Sequence, residues 1–313
     1  MDIPEEFLES EVREGFYIPA FMKRSWAATL DVLNEIAAIC TRHGLNWWMD
    51  WGTLLATVRH HGFIPWDDDL DISMMREDYT RFLEYAKDEL PDGYYANNIY
   101  NNPRFDEYHT RLLNCRDIDK SDSFLNRSHG FPYLAGVDIF CIDYVNPDKE
   151  EDERLKSLIF NMGSIATSLE PELRIKDVPQ YRGVLNDIEA ICGHHFDEEG
   201  PARQQINILC DRLMQSTTEK EAALATCMVL YTGREVFKGV FPKEYYREFV
   251  YMPYEFFEVP VPVHYDEILT TLFGNYMKPY RAGGLHDYPY YSKQEEKLLE
   301  MSGEILRKMY HYS

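Results

Sequence analysis

What this chain lacks narrows it first. No apolar stretch among its 313 residues approaches the ~20 that a membrane-crossing helix needs. Basic residues are scarce: 32 Lys and Arg stand against 54 Asp and Glu, for a formal charge of −22. That balance excludes a protein that grips nucleic acid through a broad basic surface, because neutralising phosphates requires clustered Lys and Arg. It disfavours simple adsorption to an anionic leaflet as well. An anionic nucleotide remains possible if a metal mediates its binding. The six cysteines (Cys40, Cys115, Cys141, Cys192, Cys210, Cys227) are scattered, with no C-x-x-C pair and no compact framework. They read as small buried hydrophobes in a reducing compartment. Asp2, Glu5, Glu6, Glu9 and Glu11 occupy the place of a basic n-region, so no signal peptide is expected. The expectation is a cytoplasmic protein, with peripheral attachment to a membrane left open.

What is present is a foldable chain, 45% hydrophobic and 14% aromatic. Trp26, Leu30, Leu33, Ala37 and Cys40 mark an amphipathic helix over about 21–43, stopped by Gly44. Residues 45–50 suit a short strand, and Gly52 with Thr53 a turn into a second helix over about 54–60. A strand entering such a turn is a common way to hold a phosphate, since the helix start carries N–H groups without intrahelical partners. Tyr79, Phe82, Leu83, Ala86 and Leu90 predict a further helix, ended by Pro91 and Gly93. Strand-like stretches follow at 94–100, 108–115 and 131–144. From 147 to about 238 the pattern is helical, and from Phe241 onward Tyr, Phe and Pro point to an extended segment with a short helix near 266–273. No internal repeat or low-complexity linker is visible.

The chain is organised around residues 44–75. Asp67, Asp69 and Asp71 are spaced by two, so in a strand they project to one side, with Asp68 and Leu70 facing the other way. Like charges this close resist simultaneous ionisation unless a cation neutralises them. Hard oxygen donors favour Mg²⁺ or Mn²⁺. Runs of Asp are often only solvated loop charge, but here Phe63, Ile64, Pro65 and Trp66 precede the acids, and Leu70, Ile72 and Met74 alternate through them, as in a strand entering a core. Asp138, among Val137, Ile139 and Phe140, is costly to bury without a partner. It could accept from a buried Arg; the preferred reading is a neighbouring strand that brings a third carboxylate to the metal site. Cys192, His194 and His195 lack a second ligand pair at zinc spacing and carry no site. Lys278, Arg281 and His286 are the polar groups of the C-terminal stretch best placed to reach a substrate.

GTLL, RHHGFIPWDDDLDISM, GVDIFCID and FGNYM together resemble the LicD family of phosphotransferases, to which the fukutin-type proteins are related. The likeness is strongest over 45–85, weaker over 108–143 and 241–280, and faint in the helical middle. It implies an α+β, nucleotidyltransferase-type mixed sheet flanked by helices. The pattern along the chain is expected to divide it into a nucleotidyltransferase-like catalytic core over 1–146, a helical region over 147–240 and a C-terminal segment over 241–313 that packs back on the core. Carried over to this chain, Gly52 and Thr53 match the family's turn, Asp67 its first acid, Asp69 and Asp71 its acid pair, and Asp138 its third acid. Metal would fall to Asp69, Asp71 and Asp138. Ala56 and Cys141 depart from the family's usual Gly and Pro, which bears on loop shape.

The resemblance implies transfer of a substituted phosphate, such as phosphocholine, from a CDP-linked donor to a hydroxyl of a glycan or glycolipid. Asp138 or Asp67 would take the acceptor's proton. Arg59, His60 and Arg111 are candidates for phosphate oxygens, although His60 at a helix end serves equally well as a cap. Trp47, Trp48, Trp51 and Trp66 raise an aromatic box for a quaternary ammonium, against the commoner reading of aromatics as core. Two alternatives share these residues: a nucleotidyltransferase that releases pyrophosphate from a nucleoside triphosphate, and a non-catalytic binding protein.

Overall fold

A computed structural model describes residues 2–233, 237–279 and 288–299. Lys278 is among them and exposed; Arg281 and His286 lie outside the described residues. A hairpin of β1 (Glu11–Arg13) and β2 (Phe16–Ile18) leads into α1 (Ala20–His43). The helix obeys its apolar stripe: Trp26, Leu30 and Leu33 are fully buried, and Gly44, at φ +60°, closes the C-terminus by donating to the Cys40 carbonyl. Only glycine adopts that backbone without strain.

The core continues through β3 (Trp48–Met49), α2 (Trp51–His60), β4 (Asp71–Met75) and α3 (Arg76–Glu89). Next come β5 (Tyr95–Asn97), β6 (Thr110–Leu113), α4 (Asp122–Arg127) and β7 (Gly136–Tyr144). The helical stretch holds α5 (Lys149–Ser168), α6 (Arg182–Cys192) and α7 (Ala202–Met214). After it the chain returns through β8 (Leu224–Thr226), α8 (Met228–Gly233) and β9 (Val240–Pro242). A second hairpin, β10 (Phe249–Tyr254) with β11 (Phe257–Pro262), precedes α9 (Tyr265–Phe273).

One seven-stranded sheet runs β3-β4-β7-β6-β5, with β8 joined to β7 and β9 to β8. It is mixed: β4 and β7 are parallel, and the other pairs are antiparallel. The fold is therefore α+β, with helices flanking a mixed sheet. Among the described residues, buried apolar side chains form two clusters. The larger joins α1, the sheet and the second hairpin; the smaller gathers Ile159, Met162, Leu185, Ile188, Ile206 and Leu209 of α5, α6 and α7. Trp26 anchors the larger by stacking on Phe63 at 4.6 Å, and burial of a side chain that size contributes on the order of 5 kcal/mol. Among the described residues, no helix is long and apolar enough to cross a membrane.

Four expectations need correction. The strand over 45–50 shrinks to Trp48–Met49. Gly52 and Thr53 are not a turn before a helix: α2 starts at Trp51, capped by the Asp50 carboxylate, which accepts from the Trp51 N–H at 2.8 Å. Asp67 and Asp69 precede β4, which begins at Asp71. Alternation still sorts the run, because extended backbone needs no ladder to alternate: Asp67, Asp69 and Asp71 keep partial exposure while Asp68 and Leu70 are buried. Finally, the helical stretch ends before 238, since Leu224–Thr226 pairs with the end of β7. Three residues are too few for periodicity to reveal a strand.

Candidate functional site

The register of the sheet assembles the acids. Asp71 opens β4 and lies directly beside Asp138 on β7, and Arg111 on β6 lies opposite Asp138 on the other side. Paired residues of adjacent strands point to the same face, so two carboxylates and a guanidinium share one patch.

The loop carrying Asp67 and Asp69 is held on every side. The Trp26 indole N–H donates to the Asp67 carbonyl at 3.2 Å. The Tyr290 N–H donates to the buried Asp68 carboxylate at 2.6 Å, so Asp68 faces the C-terminal segment and not the patch. The Asp71 N–H donates to Thr53 Oγ1 at 2.8 Å, linking strand to helix. Upstream, Glu255 in the turn of the second hairpin accepts from the Phe63 N–H at 3.0 Å and from Arg13 at 2.7 Å. Gly52 approaches the acids closely: a Cβ built there would stand 3.5 Å from Asp67 Oδ2.

The acids perturb one another. Burial, then Asp69 and Asp68, pushes the Asp67 carboxyl up to about 8. Burial, then Asp69, Asp138 and Asp67, raises Asp71 far above the carboxylate range. Asp138 goes the other way. Its burial is outweighed by His109 and Arg111, which hold it below the usual range. Arg111 donates to both Asp138 oxygens, at 2.6 and 2.7 Å, in the planar fork that a guanidinium forms with a carboxylate.

The other candidates are spread around this patch. Arg111 is thus Asp138's partner, an expectation weighed for that acid but not for that arginine. Arg59 donates to the Tyr276 carbonyl at 2.6 Å and to His60 at 2.8 Å, while His60 Nδ1 is 2.6 Å from Glu14 Oε1. Both residues tie the end of α2 to neighbouring segments. Trp66 stands edge-on to Phe16 and His60. Trp48 is fully buried against Tyr246 and Phe249, and Trp51 stands near Phe140 and Phe237. Trp48 is therefore core, while Trp51 and Trp66 stand against different rings. Trp51 holds a left-handed backbone, φ +49°, which is costly for a bulky residue and clusters at working sites.

His109 was not singled out from sequence. Its ring packs on Phe140 at 4.9 Å, and its Nε2 stands 3.4 Å from Asp138 Oδ1 and 3.1 Å from Glu107 Oε2, with no group in line to complete a hydrogen bond. The signal available was its place two residues before Arg111, on the same face of a strand candidate.

The chemistry of the donor set fits a hard divalent cation: all oxygen, anionic, and crowded enough that a cation would relieve the repulsion raising Asp67 and Asp71. As they stand, no three His, Cys, Asp or Glu side chains among the described residues are arranged to hold an ion. Both Asp138 oxygens are engaged by Arg111, so a cation there would share that carboxylate with the guanidinium.

The family model for the LicD/FKTN/FKRP nucleotidyltransferase domain matches residues 44–119, the stretch that contains α2, the acid loop and β4. The lipopolysaccharide cholinephosphotransferase LicD of Haemophilus influenzae is 26% identical over 259 residues, 80% of this chain and 88% of that protein. Shorter matches reach uncharacterized proteins of Rickettsia typhi, 38% identical over 71 residues (22% of this chain, 23% of that one), and Rickettsia prowazekii, 45% over 47 residues (15% and 18%).

Proposed function

We propose that this chain, which matches the LicD family model over residues 44–119 and is similar to LicD over most of its length, is a phosphotransferase of that family, moving a phosphocholine-like substituted phosphate from a CDP-linked donor to a hydroxyl of a glycan or glycolipid, with release of CMP. The observation that carries this reading is the side-by-side register of Asp71 and Asp138, with Asp67 and Asp69 delivered to the same patch by the loop entering β4. The match to a lipopolysaccharide cholinephosphotransferase over most of both chains supports the substrate class.

Asp69, Asp71 and Asp138 are the residues that would hold Mg²⁺ or Mn²⁺, which when bound would neutralise the donor's diphosphate. The remaining work falls to the chain. Phosphoryl transfer is mostly positioning and charge compensation, and the pinned loop supplies the positioning. Gly52 brings the backbone at the start of α2 beside Asp67, and α2 turns the positive end of its dipole toward the same space. Of the two carboxylates considered as proton acceptors, Asp67 suits the role. It keeps partial exposure, whereas Asp138 has both oxygens on Arg111. Arg59 and His60 contribute by fixing the far end of α2.

Calorimetric titration with CDP-choline, CDP-ribitol, CTP and ATP, each with and without Mg²⁺, tests the proposal. Metal-dependent binding of one CDP-linked compound, lost in Asp69→Ala, is the expected result. Preference for a triphosphate, with pyrophosphate as product, would replace it with a nucleotidyltransferase.

A further inference from the structure

Two arginines clasp a strand aspartate with a planar fork, and they differ in exposure. Arg76 holds Asp143 with 10% of its side chain exposed against 2%, beside an Asp211 exposed by 4%. Arg111 holds Asp138 with 40% of its side chain exposed against 18%. A buried fork is a fastening, because neither charge leaves its partner without a large desolvation cost. The Arg111 fork is open on the guanidinium side, where water can take over its N–H groups as it lets go. Glu107, with half of its side chain exposed, keeps Oε2 3.6 Å from Arg111 Nη2, so an opposite charge stays at hand when it does.

The open fork also lies where a cation is wanted. Strand register sets Arg111 opposite Asp138 and Asp138 beside Asp71, whose carboxyl feels Asp67 and Asp69 as well. Arg111 is thus the counter-ion of the carboxylate that, with Asp69 and Asp71, would hold a divalent cation. An ionised carboxylate has about four lone-pair sites, and the guanidinium uses two of them. A metal can therefore approach while Arg111 is still in place. Two cations on one carboxylate then repel each other, and the guanidinium, with its open side, is the one free to yield. The same planar fork that fits a carboxylate fits two oxygens of a phosphate.

We propose that Arg111 exchanges partners as the site loads: it neutralises Asp138 in the empty site, gives that carboxylate up to the divalent cation, and closes on the donor's diphosphate beside it. The exchange couples the two ligands, because the guanidinium displaced by the first is the one that grips the second. It also explains why an arginine should occupy a carboxylate that a metal needs: without it the empty site would carry one more uncompensated charge among acids that already repel. This inference rests on the reading of the chain as a user of a CDP-linked donor, and it adds how cation and diphosphate binding depend on each other.

The test is calorimetric titration of the full chain as wild type, Arg111→Gln and Arg111→Lys, first with Mn²⁺ alone and then, at saturating Mn²⁺, with inorganic pyrophosphate and with CDP-choline. In Arg111→Gln, removal of the competing cation should tighten Mn²⁺ alone by roughly fivefold or more. Loss of the fork should weaken pyrophosphate and CDP-choline by roughly tenfold or more in the same variant. Arg111→Lys keeps a charge beside Asp138, which guards the fold; it should leave Mn²⁺ within about twofold of wild type and still weaken pyrophosphate, since an ammonium makes no fork. Weaker binding of both ligands to Arg111→Gln would make the arginine a prop for Asp138. Weaker pyrophosphate with Mn²⁺ unchanged would make it a plain phosphate ligand, and tighter Mn²⁺ with pyrophosphate unchanged a plain counter-ion. Each of these overturns the exchange, as does a wild type that binds neither Mn²⁺ nor pyrophosphate. If Arg111→Gln does not fold, wild-type pyrophosphate affinity in Arg111→Lys overturns it. Pyrophosphate decides the exchange and CDP-choline the function. A wild type that takes pyrophosphate but no CDP-linked compound loses the proposed function with the exchange still decided by the variants. Pyrophosphate affinity unchanged in both variants, with CDP-choline still consumed, loses the exchange and leaves the function standing.

Discussion

The two ends of the same pair of parallel strands handle charge in opposite ways. Five residues beyond Asp138 on β7 lies Asp143, and just past the end of β4 lies Arg76, roughly 16 Å from the acidic patch at the strand rise. There Arg76 donates to both oxygens of Asp143, at 2.7 and 2.6 Å, and to both oxygens of Asp211 on α7, at 3.1 and 3.2 Å. Tyr100 and Gln215 add hydrogen bonds to Asp211. All three charged residues are buried. At the other end carboxylates crowd carboxylates, and two of them are pushed far up. The first arrangement is satisfied within the protein and fastens α7 to the sheet. The second is held in repulsion by surrounding backbone bonds, the kind of conflict a chain keeps where something else is to bind.

The sharpest way to break that contrast is to damage each end separately. Arg76→Ala would leave two buried carboxylates without their cation, and loss of one partner of a buried pair costs roughly 3–5 kcal/mol. Urea unfolding should show that loss, with turnover per folded molecule nearly unchanged. Asp71→Asn should do the reverse. Turnover of the CDP-linked donor should fall by roughly 10²–10³-fold, the scale on which a group stabilising transition-state charge is missed, while stability is unchanged or higher because a repelled carboxylate is gone. A stable Arg76→Ala, or an Asp71→Asn that unfolds more readily than wild type, would erase the distinction.

The contrast also shows what the sequence could and could not disclose. Trp26, Leu30 and Leu33 revealed α1 because a helix writes its burial into neighbours three and four apart. The alternation around Asp68 separated it from Asp67, Asp69 and Asp71 without any strand being formed there. Asp138 stood out because an acid inside an apolar strand needs a partner. The partners themselves are non-local. Arg111 is 27 residues from Asp138, and Arg76 is 67 and 135 residues from Asp143 and Asp211. Only strand register and helix docking bring them together, and neither is written in local periodicity.

A smaller effect sharpens the electrostatic half of the comparison. In EDTA, native Asp67 keeps its proton to about pH 8, whereas in the unfolded chain it ionises near pH ~4. Between those values the native state binds more protons, so stability falls as pH rises. The melting temperature of wild type should therefore decline across that window, and Asp67→Asn should flatten part of the decline, isolating it from the general repulsion of an acidic chain. Added Mg²⁺ should restore more at pH 8 than at pH 5. An Asp67→Asn profile superimposable on that of wild type would show that the crowding has no energetic weight.

The smallest expected effect concerns how the acid end is held in place. Thr53 is buried, and its hydroxyl accepts from the Asp71 N–H, so Thr53→Val removes one acceptor at nearly constant shape and leaves that N–H unmatched, at about 1–3 kcal/mol. Thr53→Ser keeps the oxygen and should lose only the smaller contribution of a methyl group. If the first turn of α2 serves the site by fixing Asp71, Thr53→Val should lower kcat more than Thr53→Ser does, and more than its loss of stability explains, at temperatures where both variants are fully folded. Equal kcat in the two would make the bond a fastening of helix to strand and nothing more, which would bring this end of β4 closer in kind to the Arg76 end than the crowded carboxylates suggest.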